Sequence, residues 1–123
     1  MPGIVTQSNE PLTHRAVVAS IKEYTVPGTS EVTLLTFTPA ADDIFTVNVY
    51  YRVVTGATNV TINVQYTDGT GAQTYSIQPL ASKAVGEYSF PPVNIFAKTT
   101  AAINVKVTAG TANQLVFSGE IIG

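Results

Sequence analysis

Val60-Thr61-Ile62-Asn63-Val64-Gln65-Tyr66-Thr67 carries apolar side chains at every even position and Thr, Asn, Gln and Thr at the odd ones. Successive side chains of an extended strand point to opposite faces. The stretch therefore predicts a strand with one face in a core and the other against solvent or a partner. The same period of two runs through Phe45, Val47, Val49, Tyr51 and Val53 and through Ile103, Val105 and Val107, while Leu115, Phe117 and Ile121 close the chain. With Val60, Ile62, Val64 and Tyr66, these are the expected core. No segment of useful length shows the i, i+3, i+4 spacing of an amphipathic helix, so the class is all-β.

Less regular strands are expected over Arg15 to Val26, Val32 to Thr38, Gln73 to Leu80, Glu87 to Phe90 and Val93 to Ala97. Turn signals separate them at Pro27-Gly28, Pro39 to Asp43, Thr55-Gly56-Ala57, Asp68 to Gly71 and Ala109 to Asn113. About eight or nine short strands, broken every eight to twelve residues or so, have the spacing of an antiparallel two-sheet β-sandwich, jelly-roll or Ig-like. Asp68-Gly69 predicts a hairpin, with Gly69 accepting the positive φ of a tight turn. Pro91-Pro92 cannot sit in a central strand and marks an edge or a bend where the chain could switch sheets. Residues 1–13 hold Pro2, Gly3 and Pro11 and no alternation, and read as an extended N-terminal arm. Residues 14–123 form a single β-sandwich domain.

At 123 residues, one core suffices. The chain is 45% hydrophobic but only 11% charged, with Thr, Asn, Gln and Ser in place of the missing charge. Such residues keep a strand face wet without repelling a neighbour, which suits repeated subunit contacts; a composition bias of β-rich chains gives the same picture. A net charge of -2 provides neither a basic footprint for nucleic acid nor a polybasic membrane patch, so neither partner is expected. Without Cys there is no disulfide and no thiolate metal site. The first ten residues lack the basic and apolar regions of a secretory signal, so if Met1 is the natural start, the chain is expected to be made and used without Sec export.

Catalytic chemistry has little to build on. His14 is the sole histidine, and any His-based metal site or nucleophile would depend on it. The acids, Glu10, Glu23, Glu31, Asp42, Asp43, Asp68, Glu87 and Glu120, are scattered, although a pair of Glu on facing strands would support glycoside hydrolysis. Asp42-Asp43 and Asp68-Gly69 are the candidate calcium ligands, or else turn formers that bond their own backbone. Gly69-Thr70-Gly71 lacks the Lys and helix of a phosphate loop. No catalytic residue, metal ligand or cofactor is assigned. Tyr50, Tyr66, Tyr75, Tyr88, Phe90 and Phe96 could line a sugar platform. The alternation aims Tyr50 and Arg52, beside Asn48, away from the core, and this cluster is the candidate recognition surface; Tyr and Arg are enriched where interfaces hold most of their energy. Cross-strand packing on a solvated sheet explains the same pattern. Ile4 and Val5 are the candidate contacts of the arm, whose backbone could add a strand to a sheet edge.

Three stretches then follow in a suggestive order: Tyr66-Thr67-Asp68-Gly69-Thr70-Gly71-Ala72-Gln73-Thr74-Tyr75, Val85-Gly86-Glu87-Tyr88-Ser89-Phe90-Pro91-Pro92-Val93-Asn94-Ile95-Phe96-Ala97-Lys98, and Ile103-Asn104-Val105-Lys106-Val107-Thr108-Ala109-Gly110-Thr111-Ala112-Asn113. Over roughly residues 66–123 this resembles the small β-sandwich structural proteins of tailed bacteriophages, the head-decoration and tail accessory proteins. The motifs are turns and core strands, and carry no site residues over. The resemblance implies a non-catalytic virion structural protein, a capsid decoration or cement subunit that binds the major coat or other virion proteins, forms a homo-oligomer and is made in the host cytoplasm. The alternative is a carbohydrate- or receptor-binding module of a tail fibre or secreted protein, with a glycan as ligand.

Overall fold

The structure, a computed structural model, describes residues 15–123. The arm, with Ile4 and Val5, and His14 lie outside them. Nine strands follow one another: β1 (Val17–Thr25), β2 (Val32–Phe37), β3 (Asp43–Val53), β4 (Thr58–Asp68), β5 (Gly71–Lys83), β6 (Gly86–Ser89), β7 (Val93–Ala97), β8 (Ile103–Ala109) and β9 (Leu115–Ile122). One sheet has the order β1-β9-β3-β6, with β7 also on β3; the other is β2-β8-β4-β5. Every pairing is antiparallel.

β6 pairs with Tyr50–Val53 and β7 with Asp43–Val47, both on the side of β3 that β9 leaves free. They are two halves of one edge strand, parted at Phe90-Pro91-Pro92, because a proline offers no N–H to the ladder. Pro91-Pro92 thus breaks an edge and does not switch sheets; that crossing occurs between Lys83 of β5 and Gly86 of β6. With β6 and β7 merged, the first strand pairs with the last, the second with the next to last, and so inward to the β4–β5 hairpin. Four nested antiparallel pairs rolled into two sheets make a jelly roll, which decides between the two sandwich types left open by the strand count.

The hairpin turns at Gly69-Thr70, with Asp68 paired to Gly71. Its positive φ, 125°, falls on Gly71 and not on Gly69. Asp68 Oδ1 accepts bonds from Thr70 N at 2.8 Å and Thr70 Oγ1 at 2.7 Å, which closes the turn from its first residue and moves the left-handed residue to its exit.

The core lies between the sheets as the alternation required. Val47, Tyr51, Ile62, Val64, Val105 and Phe117 are fully buried, and Tyr66 is half-buried against them. Burying each such aliphatic or aromatic side chain stabilises by about 1.5–3 kcal/mol. Leu35 of β2 and Ile95 and Ala97 of β7 join from strands whose pattern is too short or irregular to read, Val26 joins from just beyond β1, and Ala109 extends the β8 alternation past Val107. One polar bridge crosses the core: Tyr51 Oη of β3 donates to Gln78 Oε1 of β5 at 3.2 Å. Gln78 Nε2 in turn donates to Pro79 O at 2.7 Å.

Candidate functional site

Even-numbered residues of β3 face away from the core, and there the structure brings the candidate residues into one row. Asn48 is opposite Glu120 and Tyr50 opposite Ser118 of β9, with Ser20 of β1 beyond Glu120. Asn48 Nδ2 donates to Glu120 Oε2 at 3.0 Å. Arg52 makes a short ion pair with Glu23, whose own backbone N–H donates to Ser118 Oγ at 3.0 Å. Glu23 reaches this position because β1 bulges between Ile21 and Tyr24 and Glu23 takes a left-handed φ of 52°. At the other end of the row, Thr46 Oγ1 donates to Asn94 Oδ1 at 2.7 Å. Asn48, Tyr50 and Arg52 are all half-buried by these neighbours. Partial burial and the adjacent Glu87 carboxylate push the Tyr50 phenol above its ordinary range, so it stays a neutral donor.

Ser20, Lys22, Asn48, Tyr50, Ser118 and Glu120 surround a shallow depression of about 240 Å³. The volume suits a single sugar ring or one protruding side chain. Its donors and acceptors are an amide, a carboxylate, hydroxyls and an ammonium, which can bind a polar group. The sequence pointed to Asn48, Tyr50 and Arg52 but gave no sign of Glu120, Glu23, Ser118 or Ser20, which arrive on strands remote in the chain.

The other candidates resolve separately. Asp42 Oδ1 accepts from Thr99 N at 2.7 Å and its Oδ2 from Lys98 Nζ at 2.9 Å, which holds its carboxyl below the ordinary range. Bonds from Thr70 side chain and backbone, then Gln73, lower Asp68 likewise. Asp43 Oδ1 accepts from Ile44 N. These aspartates act as turn formers, and among the described residues no three His, Cys, Asp or Glu stand close enough to share a metal ion. The six aromatic residues do not assemble into one platform. Tyr88 stacks on buried Tyr51 with centroids 4.9 Å apart, and Phe90 tilts against the same ring at 5.9 Å. Phe96 and Tyr75 are exposed. Tyr75 and Phe90 instead border a second, apolar groove of about 250 Å³, together with Ile77, Pro91, Pro92 and Val93.

The outward face of the second sheet is a lawn of hydroxyls and amides. Thr36, Asn104, Gln65 and Thr74 form one rung across its four strands, and Thr33, Lys106, Asn63 and Ser76 another. Its cation, Lys106, lies 4.0 Å from Glu31. Among the described residues no helix is long and apolar enough to cross a membrane.

No family model matches the sequence, and no curated protein sequence matches it. Among solved structures, chains of infectious bursal disease virus are similar in fold. The Gx strain gives a TM-score of 0.55 at 13% identity, covering 89% of this chain and 32% of that one. The T13 viral particle gives 0.56 at 11% identity, covering 89% and 30%. A chain of the Clostridium thermocellum xylanase 10B, with its CBM22-1 and GH10 modules, reaches a TM-score of 0.48 at 13% identity over 88% of this chain and 28% of its own. This chain therefore spans about a third of the length of the viral chains, and what it shares with them is the two-sheet β-sandwich.

Proposed function

We propose that the chain is a non-catalytic structural subunit of a virus particle, seated on coat or other virion proteins and strengthening the particle as a decoration or cement protein does. The observation that carries this reading is the character of the two sheet faces. Both are polar and carry more hydroxyls and amides than charges, and on the first Arg52 pairs with Glu23 and Asn48 bonds Glu120, with Lys22 and Glu87 as further charges beside them. Hydroxyls and amides can be covered by a neighbour that returns their hydrogen bonds, at a smaller desolvation cost than charges would impose. The fold likeness to chains of infectious bursal disease virus particles supports the reading, and the resemblance to tailed-phage proteins supplies its finer form, with homo-oligomeric assembly and a place in the virion.

The test is the protein inventory of particles purified from the source of this sequence. Stoichiometric copies, removable by mild denaturant and able to rebind, are the expected result. Thr61→Arg with Asn63→Arg, and separately Tyr50→Ala, then locate the seated face: the variant on that face stays folded and fails to rebind. Absence of the protein from particles overturns the proposal.

A second reading, a glycan- or receptor-binding module, is favoured by the depression at Tyr50, Asn48 and Glu120. Its test is binding of the isolated chain to a glycan panel, with Tyr50→Ala and Glu120→Gln as the variants that abolish a true signal.

A further inference from the structure

Each sheet has two edges: β1 and the β6/β7 strand on the first, β2 and β5 on the second. An exposed edge invites another strand, and proteins ordinarily blunt it. β1 shifts register against β9 at Val17/Ala19 and again at Ile21/Tyr24. β2 is six residues long and shifts between Thr33 and Leu35. The β6/β7 edge is cut by Pro91-Pro92. β5 is blunted over its second half, where two register shifts fall between its Ser76 and Ala81 and Pro79 removes a donor. Among the described residues the longest regular open stretch is Gly71–Ser76, six residues paired without interruption to Asn63–Asp68, against five in β7 and four in β6.

That stretch borders the apolar groove. Tyr75, with 48% of its surface exposed, stands on it, and the Pro91-Pro92 gap forms the opposite wall. A strand added beside Gly71–Ser76 would send alternate side chains into the groove. The groove walls carry no charge, so the occupant must be an extended, uncharged, apolar segment.

We propose that the occupant is the beginning of this same chain, with Ile4 and Val5 in the groove. Residues 1–9, Met-Pro-Gly-Ile-Val-Thr-Gln-Ser-Asn, contain no charged side chain and hold two adjacent β-branched residues, whereas the next residue is Glu10. The described chain also begins on the path to the groove. Arg15 donates to Thr46 Oγ1 at 3.0 Å and to Ile122 O at 3.2 Å. Val17, Ile122, Thr46 and Asn94 form a single rung of the first sheet, and Asn94 is on the groove rim. Three strand spacings put that rim about 14 Å from the start of β1, and the second sheet lies about 10 Å further. Val5 is ten residues before Arg15, and ten extended residues span up to about 33–36 Å. Exposed Ile44 and Phe96, cross-strand partners, lie beside this path. Docked there as a strap, Ile4 and Val5 would cover the longest regular open edge among the described residues. The inference does not rest on the virion reading.

Because the chain contains no cysteine, paired cysteines test the strap cleanly on the full chain. In Val5→Cys/Tyr75→Cys, oxidation at low protein concentration is expected to give a disulfide within one chain, seen as a faster-migrating monomer. Val5→Cys/Thr61→Cys, with the second thiol on the far sheet face, is expected to remain unlinked. In the Ile4→Ser/Val5→Ser variant, amides of Ala72–Ser76 should exchange at least about tenfold faster, the mark of a lost local cover. Disulfide-linked dimers in place of the intrachain product would assign the groove to a second copy and overturn the proposal. No cross-link, or unchanged exchange at Ala72–Ser76, would also overturn it.

Discussion

Removing the hydroxyl of Tyr51 should destabilise the protein through Gln78. Tyr51 is fully buried and Gln78 6% exposed, and their hydrogen bond joins β3 of one sheet to β5 of the other. Tyr51→Phe keeps the ring and its stack on Tyr88 but leaves Gln78 Oε1 in the core without that donor, at a cost of about 1–3 kcal/mol. Gln78→Leu strands the phenol instead, at a similar cost. The double variant removes both polar ends, so it should cost less than the sum of the singles by about 1–2 kcal/mol. Urea unfolding of the four proteins gives that coupling energy directly. Burial, followed by repulsion from Tyr88, pushes the Tyr51 phenol from 10.0 up to about 12. Between those values the unfolded chain loses the proton and the folded one keeps it, so stability is full below pH 10 and falls as pH rises towards 12. The loss is on the order of 2–3 kcal/mol. Tyr51→Phe should lack this part of the alkaline decline. Strict additivity in the cycle, together with an unchanged alkaline limb in Tyr51→Phe, would refute the bridge.

Phe117→Ala, at a fully buried site, should cost about 3–5 kcal/mol, whereas Thr61→Ala on the outward face should stay within about 0.5 kcal/mol; urea denaturation compares them. Gly119→Ala should cost about 1–3 kcal/mol, because the added carbon would lie 3.1 Å from both the Phe117 ring and the Asn48 carbonyl; thermal melting measures it. NMR titration should place the carboxyl midpoints of Asp42 and Asp68 below 3.8, so what they contribute is present above that pH and lost as the pH falls through their folded midpoints. Pro79→Val restores an N–H to the second half of β5, and sedimentation should then show concentration-dependent association beyond that of the parent.

The periodicity of two made the inner and outer faces legible on β3, β4 and β8, because it depends only on neighbours in the chain. β5 shows where that logic stops. Ser76 pairs with outward Asn63, yet Gln78, two residues on, pairs with inward Ile62. A bulge has inserted one residue and turned the strand over, placing a polar side chain in the core where alternation keyed to Ser76 would have it outside. The recognition row was half legible for a related reason. The outward aim of Asn48, Tyr50 and Arg52 follows from β3 alone, but Glu120 and Glu23 meet them only through pairings of 72 and 29 residues' separation. The positive φ of Gly71, for its part, depends on how Asp68 bonds the turn, a choice made by side-chain geometry.

The low charge acquires a physical meaning once the edges and faces are seen together. Associations by strand addition are blocked at β1, at β2, at Pro91-Pro92 and beyond Ser76, so most contacts open to this domain must use its sheet faces. A face studded with free Lys and Glu would lose several kcal/mol per buried ion unless every charge met a partner across the contact. Here Arg52 and Asn48 bring their partners with them, from β1 and β9 of the same sheet, Lys106 has Glu31 beside it, and the rung through Gln65 needs only hydrogen bonds returned, which leaves Lys22 and Glu87 for a neighbour to meet. Such surfaces gain little steering from long-range fields and so favour contacts made at high local concentration, as among subunits on a lattice. Blunted edges direct association to the faces, and internally paired faces lower the cost of covering them.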